Sequence, residues 1–358
     1  MDGFVPAGLV DEPAAGPVPG GGQRAPGAGG ADGGPVGAAR GRDADGAPRF
    51  DQPVASGGYL WWYVDAISDD GQHALTIIAF VGSVFSSYYA WAQRGNNLRQ
   101  ADPDNFCCLN VALYSPAGKR WTMTERGRAS VKRSARRFVI GPSRLEWDGQ
   151  CLTIHIDEVT VPFPSRVRGT VRVFPHRLFN FSAPLDDGER HHWGPIAPSA
   201  RVEVDMNKPA GRWAGHAYLD SNEGSEPIDR PFTEWDWSRS SLSDGSTAVI
   251  YDVRQRFGDD RVLALRFTPS GAVEPFEPPP RQALPRTAWR INRTMRSDAG
   301  QPAVVTRTLE DTPFYVRSVL DSGLLGEKVV SMHETLNVPR LVSPAVRLML
   351  PWRMPRVK

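Results

Sequence analysis

From Phe106 onward, apolar and polar residues alternate in short runs separated by turn residues, the pattern of half-buried antiparallel strands. The runs Cys107–Tyr114, Gly118–Thr124, Arg137–Ile140, Arg144–Trp147, Cys151–Glu158 and Arg166–Phe174 read as strands. Ser115–Pro116–Ala117–Gly118 and Trp147–Asp148–Gly149 punctuate them as turns. The rhythm returns in Ala248–Arg256, Arg261–Thr268, Thr287–Met295, Ala303–Asp311 and Tyr315–Leu320. Turns between them fall at Phe257–Gly258–Asp259–Asp260 and Pro269–Ser270–Gly271. No segment ahead of the C-terminus carries a long helical period. The fold class is therefore all-β, as two tandem antiparallel barrels joined near Met206–Gly211. The expected division is a disordered segment at 1–48, a first barrel domain at 49–207 and a second at 208–358.

Three stretches break the rhythm. About 30 of the first 50 residues are Gly, Ala or Pro without a collagen-like period, too little apolar surface to offset ordering entropy. Ala74–Trp91 is uncharged over 18 residues, the lower limit for a membrane span. Its β-branched Thr76–Ile77–Ile78 and the pair Gly82–Ser83 favour a buried strand followed by an aromatic segment. The tail Ser343–Lys358 mixes Leu348, Met349, Leu350, Trp352 and Met354 with Arg347, Arg353, Arg356 and Lys358. Pro351 and Pro355 argue against a continuous helix there, and the tail either lies on a lipid surface or packs Trp352 on a barrel.

The chemistry concentrates in Gly211–Ile228. As a strand, Trp213–Leu219 places His216, Tyr218 and Asp220 on one face and Ala217 and Leu219 on the other, before an expected turn at Ser221–Asn222–Glu223–Gly224. His191 and Trp193 share a face by the same spacing, with His192 on the opposite one. A carboxyl group among Tyr218, Trp193 and Trp213 is poorly hydrated, and burial favours its protonated form, making Asp220 a directed acid. The alternative is a turn carboxylate bonded to local backbone N–H groups. The π-faces of Trp193 and Tyr218 suit a carbocation, and His191 suits the orientation of a water. A second cluster, Glu234–Trp235–Asp236–Trp237, sets two carboxyl groups on one face and two indoles on the other. Paired carboxylates beside Trp point to sugar hydrolysis, but two groups on one strand do not flank a substrate. Core-facing Trp235 and Trp237 are the plainer reading.

Composition narrows the classes. Lys and Arg number 42 against 40 Asp and Glu, a net charge of +2 that supplies no basic stripe for nucleic acid. Eleven Trp in a 358-residue chain point to cavities for bulky ligands. Cys107, Cys108 and Cys151 have neither disulfide-framework nor zinc spacing, and the spacing of His and carboxylates gives no metal set, so no metal is expected. The N-terminus has no secretory pattern, so a reduced cytoplasmic setting is expected.

The segments GHAYLDSNEGSEPI, HHW and FTEWDWSRSS, with YLWWYVDAISDDGQHALTIIAFVGSVFSSYYAWAQRG upstream, resemble the carotenoid 1,2-hydratases, or hydroxyneurosporene synthases, of phototrophic bacteria. The likeness spans about Phe50–Lys358. It implies lipocalin-like barrels and addition of water to the terminal C1–C2 double bond of acyclic carotenoids such as neurosporene and lycopene, without a redox cofactor or metal. The family's His-x-Trp and Tyr-x-Asp motifs fall on His191 with Trp193 and on Tyr218 with Asp220, with His192 as a one-residue alternative. The mechanism then runs from protonated Asp220 to C2, with Trp193 and Tyr218 sheltering the cation at C1 and His191 orienting the attacking water. Substrate contacts are expected from His216, Trp213, Trp235 and Trp237. Expected partners are the carotenoid, water, membrane lipid in peripheral contact on the cytoplasmic side, and other enzymes of carotenoid synthesis. A non-catalytic carotenoid or lipid carrier is the alternative.

Overall fold

The computed structural model describes residues 41–94 and 101–357. In chain order the strands of the first sheet are β1 (Tyr59–Ser68), β2 (Ala74–Val81), β3 (Cys107–Ser115), β4 (Gly118–Arg126), β5 (Val131–Ser134), β6 (Arg137–Ile140), β7 (Ser143–Trp147), β8 (Leu152–Val159), β9 (Arg166–Pro175), β10 (Ala183–Pro184), β11 (His191–Lys208) and β12 (Ala210–Gly224). The second sheet draws on β13 (Phe232–Ser241), β14 (Thr247–Gln255), β15 (Arg261–Phe267) and β16 (Val273–Pro275). A small ribbon of β17 (Arg281–Ala283) and β18 (Thr294–Arg296) follows, then β19 (Val304–Asp311), β20 (Tyr315–Leu324) and β21 (Glu327–Asn337). The short β22 (Arg356–Val357) returns to the edge of the first sheet beside β4. Helices are few: α1 (Ser87–Arg94), α2 (Val338–Leu341) and α3 (Pro344–Arg353).

The first sheet has 13 strands in the order β22-β4-β3-β2-β1-β12-β11-β9-β8-β7-β6-β5, with β10 beside β11, and the second has 7 in the order β16-β15-β14-β13-β21-β20-β19. Apart from β22, these strands pair antiparallel, mostly with sequence neighbours, and the long-range pairs β1–β12 and β13–β21 join the early and late strands of each sheet. Two-residue periodicity divides β1 between two cores. Leu60, Trp62 and Val64 face the core wrapped by the first sheet, while Tyr59, Trp61 and Tyr63 face the second sheet. The outer face of β1, β2, β3 and β12 thus becomes one wall of a space whose other wall is the second sheet.

The boundary expected at 207/208 falls instead on the β11–β12 hairpin, whose partners run from Asn207↔Ala210 to His191↔Gly224. The second sheet opens at Phe232. Of the N-terminal segment expected to be disordered, 1–40 lie outside the described residues. Gly41–Pro48, however, packs in place. Arg42 is buried and donates to the carbonyls of Phe181, Gly194 and Pro195 and to the Ser221 hydroxyl. A side chain at Gly194 would collide with that guanidinium, so glycine is required there.

Ala74–Val81 forms β2, followed by α1, and no helix among the described residues is long and apolar enough to cross a membrane. The strand expected over Thr287–Met295 shrinks to Thr294–Arg296. A turn intervenes, with Arg290 N–H on the Thr287 carbonyl and Arg290 at φ 57°. In the tail, α3 runs through Pro351, contrary to the expectation. Proline frees the carbonyl four residues back, that of Arg347, and the Ser87 hydroxyl donates to it at 2.6 Å. The three cysteines are free thiols, all buried.

Candidate active site

Between the two sheets lies a cavity of about 570 Å³. The first sheet supplies Trp61, Tyr63, Ile78, Phe80, Asn110, Trp121, Met123, Asp220 and Asn222, and the second Trp235, Trp237, Tyr251, Tyr315, Arg317, Glu334 and Leu336. Val346, Met349, Leu350 and Trp352 of α3 line it at one end, with Trp289. Burial grades along its length. Trp352 is 78% exposed and Leu348 beside it 71%, whereas Asp220, Tyr63, Trp237 and Tyr251 are all buried. The cavity therefore has an exposed, largely apolar lip and a buried, aromatic deep end.

Asp220 stands in that deep end. The turn expected at Ser221–Gly224 does not form, because ladders to β1 and β11 hold this segment on both sides. Gly224 ends the strand, where a side chain would strike Tyr59 and His191. Asp220 pairs with Tyr63 on one side and Pro195 on the other, and β11 bulges just beyond Pro195. The Trp193 indole N–H donates to Asp220 Oδ2 at 2.8 Å and the Tyr218 hydroxyl to the same oxygen at 2.9 Å. Burial pushes the Asp220 carboxyl up to about 7, against the opposing pull of those two donors. Because Oδ2 already accepts two bonds, the acid proton belongs on Oδ1, where the nearest donor is Asn222 Nδ2 at 3.4 Å. Burial, with the Asp220 carboxylate nearby, keeps the Tyr218 phenol well above its ordinary value, hence a donor.

The structure divides the expected residues into three groups. Asp220, Trp235 and Trp237 line the cavity as expected. Trp193 and Tyr218 do not line it; they sit behind Asp220, with their polar atoms on its carboxylate. Rings that do line the cavity include those of Trp61, Trp235, Trp237 and Tyr251. His191, His216 and Trp213 fall outside. His191 pairs with Gly224, four residues along the ladder from Asp220, roughly 13 Å by strand rise. Its Nδ1 meets the Tyr59 hydroxyl at 2.8 Å, and Glu226 lies 3.8 Å from Nε2, beyond hydrogen-bond reach. Burial drives this imidazole towards its neutral form, opposed by Asp186 and Glu226. His216 has run past the covered part of β12: its side chain is 65% exposed beside Asp69. Trp213, an odd position, belongs to the other face and stacks on His73. Glu234 and Asp236 share Arg254 on the side of β13 away from the indoles, which removes the sugar-hydrolysis arrangement. His192 pairs with Glu223 across the ladder, on the opposite face from His191.

Sequence reasoning missed Glu334 and Arg317. Glu334 lies on β21 between the core residues Met332 and Leu336 of the same face, an acid between two apolar neighbours, and that was the available signal. It accepts the Arg317 Nε–H at 2.7 Å and the Tyr63 hydroxyl at 2.6 Å. Among the described residues no three His, Cys, Asp or Glu side chains gather as a metal set.

Comparison with known proteins bears on the fold and the family. A protein of Nitrosomonas europaea, provisionally described as AttH, superposes with a TM-score of 0.56 at 16% identity, covering 78% of this chain and 92% of its own. CghA, crystallised with Sch210972, gives 0.52 at 12% identity over 79% and 89%. Identities this low speak for the shared fold alone. In sequence, the acyclic carotenoid 1,2-hydratase of Rubrivivax gelatinosus is 67% identical over 356 residues, 99% of this chain and 87% of that protein. The enzyme of the same description from Thiocapsa roseopersicina is 57% identical over 311 residues, 87% and 76% of the two chains. The family described as carotenoid hydratase CrtC matches residues 77–358, and this chain belongs to it.

Proposed function

We propose that this chain hydrates the terminal C1–C2 double bond of an acyclic carotenoid, neurosporene or lycopene among them, to a tertiary 1-hydroxy product. The observation that carries this reading is a buried carboxyl group, held up to about 7 by desolvation, lining an aromatic and largely apolar cavity. A linear hydrocarbon entering past α3 brings its terminus to Asp220. Oδ1–H then delivers a proton to C2, because only that choice leaves the charge on the tertiary carbon C1. Trp61, Trp235, Trp237 and Tyr251 surround the cation, each desolvated ring contributing about 0.5–2 kcal/mol. Dry walls hold random solvent away until one water adds at C1.

The lip supports a further part of the reading, peripheral contact with a lipid surface. Leu348, Met349 and Trp352 are exposed on α3, with Arg353 near them, where a membrane-dissolved substrate would enter. A carrier needs the same cavity and lip but has no use for a protonated acid at the deep end. Purified protein incubated with lycopene decides between them: a product heavier by one water supports hydration, and unchanged, tightly bound lycopene supports a carrier.

A further inference from the structure

Four carboxyl groups line the cavity, Asp220 on the first sheet and Glu310, Asp311 and Glu334 on the second, and of these Asp220 and Glu334 are the two tied together through Tyr63. Asp220 belongs to β12 of the first sheet and Glu334 to β21 of the second. Tyr63 connects them: it is the ladder partner of Asp220, and its hydroxyl bonds Glu334 at 2.6 Å. Trp237, the ladder partner of Glu334, packs edge-on against Tyr63 with ring centres 5.5 Å apart. Glu334 thus shares the deep end with the acid. Both bonds that hold it, from Tyr63 and from Arg317, land on Oε1. Neither bond engages Oε2, the Tyr315 hydroxyl is the other group close to this carboxylate, and Glu334 is among the residues lining the cavity.

We propose that Glu334 is the base that orients the attacking water and takes its proton, from the wall facing Asp220. The proposal rests on the hydratase reading and fills the place that the His191 ring, outside the cavity, does not. The steps balance. The π pair of C1=C2 takes the proton from Asp220 Oδ1, so an O–H bond breaks and a C2–H bond forms. A water lone pair forms the C1–O bond. One O–H bond of that water breaks, and its proton passes to Glu334 Oε2. Glu334 then loses this proton and Asp220 regains one, both by exchange with solvent, and nothing is oxidised or reduced. Two groups on facing sheets can serve opposite sides of a flat alkene, which two groups on one strand cannot.

The test separates the two proton transfers. Full-length wild type, Glu334→Gln and Glu334→Asp are incubated with lycopene in D₂O, and both product and recovered lycopene are analysed by mass spectrometry and NMR. In Glu334→Gln hydration should fall by about 100-fold, the usual scale for a general base. Asp220 still protonates C2, so the uncaptured cation reverts and recovered lycopene gains deuterium at C2. Glu334→Asp keeps the charge beside Arg317, which guards against loss of the fold through an unpaired buried arginine. Its shorter reach should leave slow hydration with a raised ratio of exchange to hydration. Hydration within threefold of wild type in both variants overturns the proposal. So does loss of hydration with no deuterium in recovered lycopene and unchanged lycopene binding, or a Glu334→Asp ratio equal to wild type. A wild type that hydrates nothing rejects the hydratase reading itself and is told apart by that control.

Discussion

The Trp193 indole N–H points at Asp220 Oδ2 from 2.8 Å, on the oxygen that the Tyr218 hydroxyl also reaches. Two donors on one carboxylate oxygen favour its charged form, while burial opposes it, and the balance leaves the acid near 7. A weaker balance on either side would give a carboxylate without a proton or an acid too weak to protonate an alkene. Trp193 and Tyr218 thereby tune the acid from behind it.

Activity should follow the protonated form, so kcat/KM falls as pH rises through about 7. Asp220→Asn keeps the shape without the proton, and turnover should drop by roughly 10²–10⁴-fold with carotenoid binding retained. Steady-state hydration of lycopene across pH 5–9 checks both. A wild-type rate in the Asn variant would remove Asp220 from the role of acid.

Tyr218→Phe deletes one of the two donors and leaves the other. The carboxylate loses stabilisation, so the descending limb of the pH profile should move to higher pH by about one unit, and the plateau should fall because the acid is weaker. Trp193→Phe should move the limb in the same direction. If the limb stays at its wild-type position in both variants, these bonds do not set the acidity.

The same group writes a pH dependence into stability. Unfolded, the Asp220 carboxyl returns to about 3.9, so between there and about 7 the folded chain binds a proton that the unfolded chain does not. Stability therefore falls as pH rises from about 4 to about 7, by on the order of 4 kcal/mol for this group alone. Asp220→Asn has no such titration. Relative to wild type it should gain several kcal/mol in denaturant unfolding at pH 8 compared with pH 4, and a constant difference would contradict the assignment.

What could be read from the sequence was whatever rests on local pattern. Strand β6 and the starts of β3, β4, β9 and β15 follow alternation and turn residues, and Asp220 could be found because its even-numbered face also carries Tyr218. The failures are of another kind. Periodicity places His216 with Tyr218, but it cannot show that the second sheet stops short of that position and leaves the ring in solvent. Pro351 reads as a helix breaker until Ser87, far away in sequence, satisfies the carbonyl it frees. Glu334 and Arg317 meet only because β20 pairs with β21 in register, and Tyr63 reaches them across the two sheets. Long-range partners decided each of these, and no local window contains them.

The lip can be tested on its own. Leu348→Asp replaces an exposed apolar side chain of α3 that does not line the cavity with charge, at little cost to a fold in which it is solvent-facing. Binding to anionic phospholipid vesicles should weaken by about tenfold or more, and turnover of vesicle-dissolved lycopene should fall with it. Turnover of detergent-solubilised lycopene should change little. Unaltered vesicle binding would move any lipid contact away from α3.

Trp237 offers the sharpest test of how the cation is held. Its ring lines the cavity and packs against both Tyr218 and Tyr63, with centres 5.2 and 5.5 Å away, so it stands beside the acid and beside Glu334. If the ring only fills space, Trp237→Phe and Trp237→Leu should lose activity in proportion to the volume removed and shift KM more than kcat. If its π-face stabilises charge that exists only after protonation, the effect belongs to kcat. Trp237→Phe, which retains a weaker π-face, should then keep most of the turnover, while Trp237→Leu should lose about 0.5–2 kcal/mol of barrier lowering, up to roughly 30-fold in kcat, at similar KM. Equal kcat in the two variants would assign Trp237 to packing and leave the cation to Trp61, Trp235 and Tyr251.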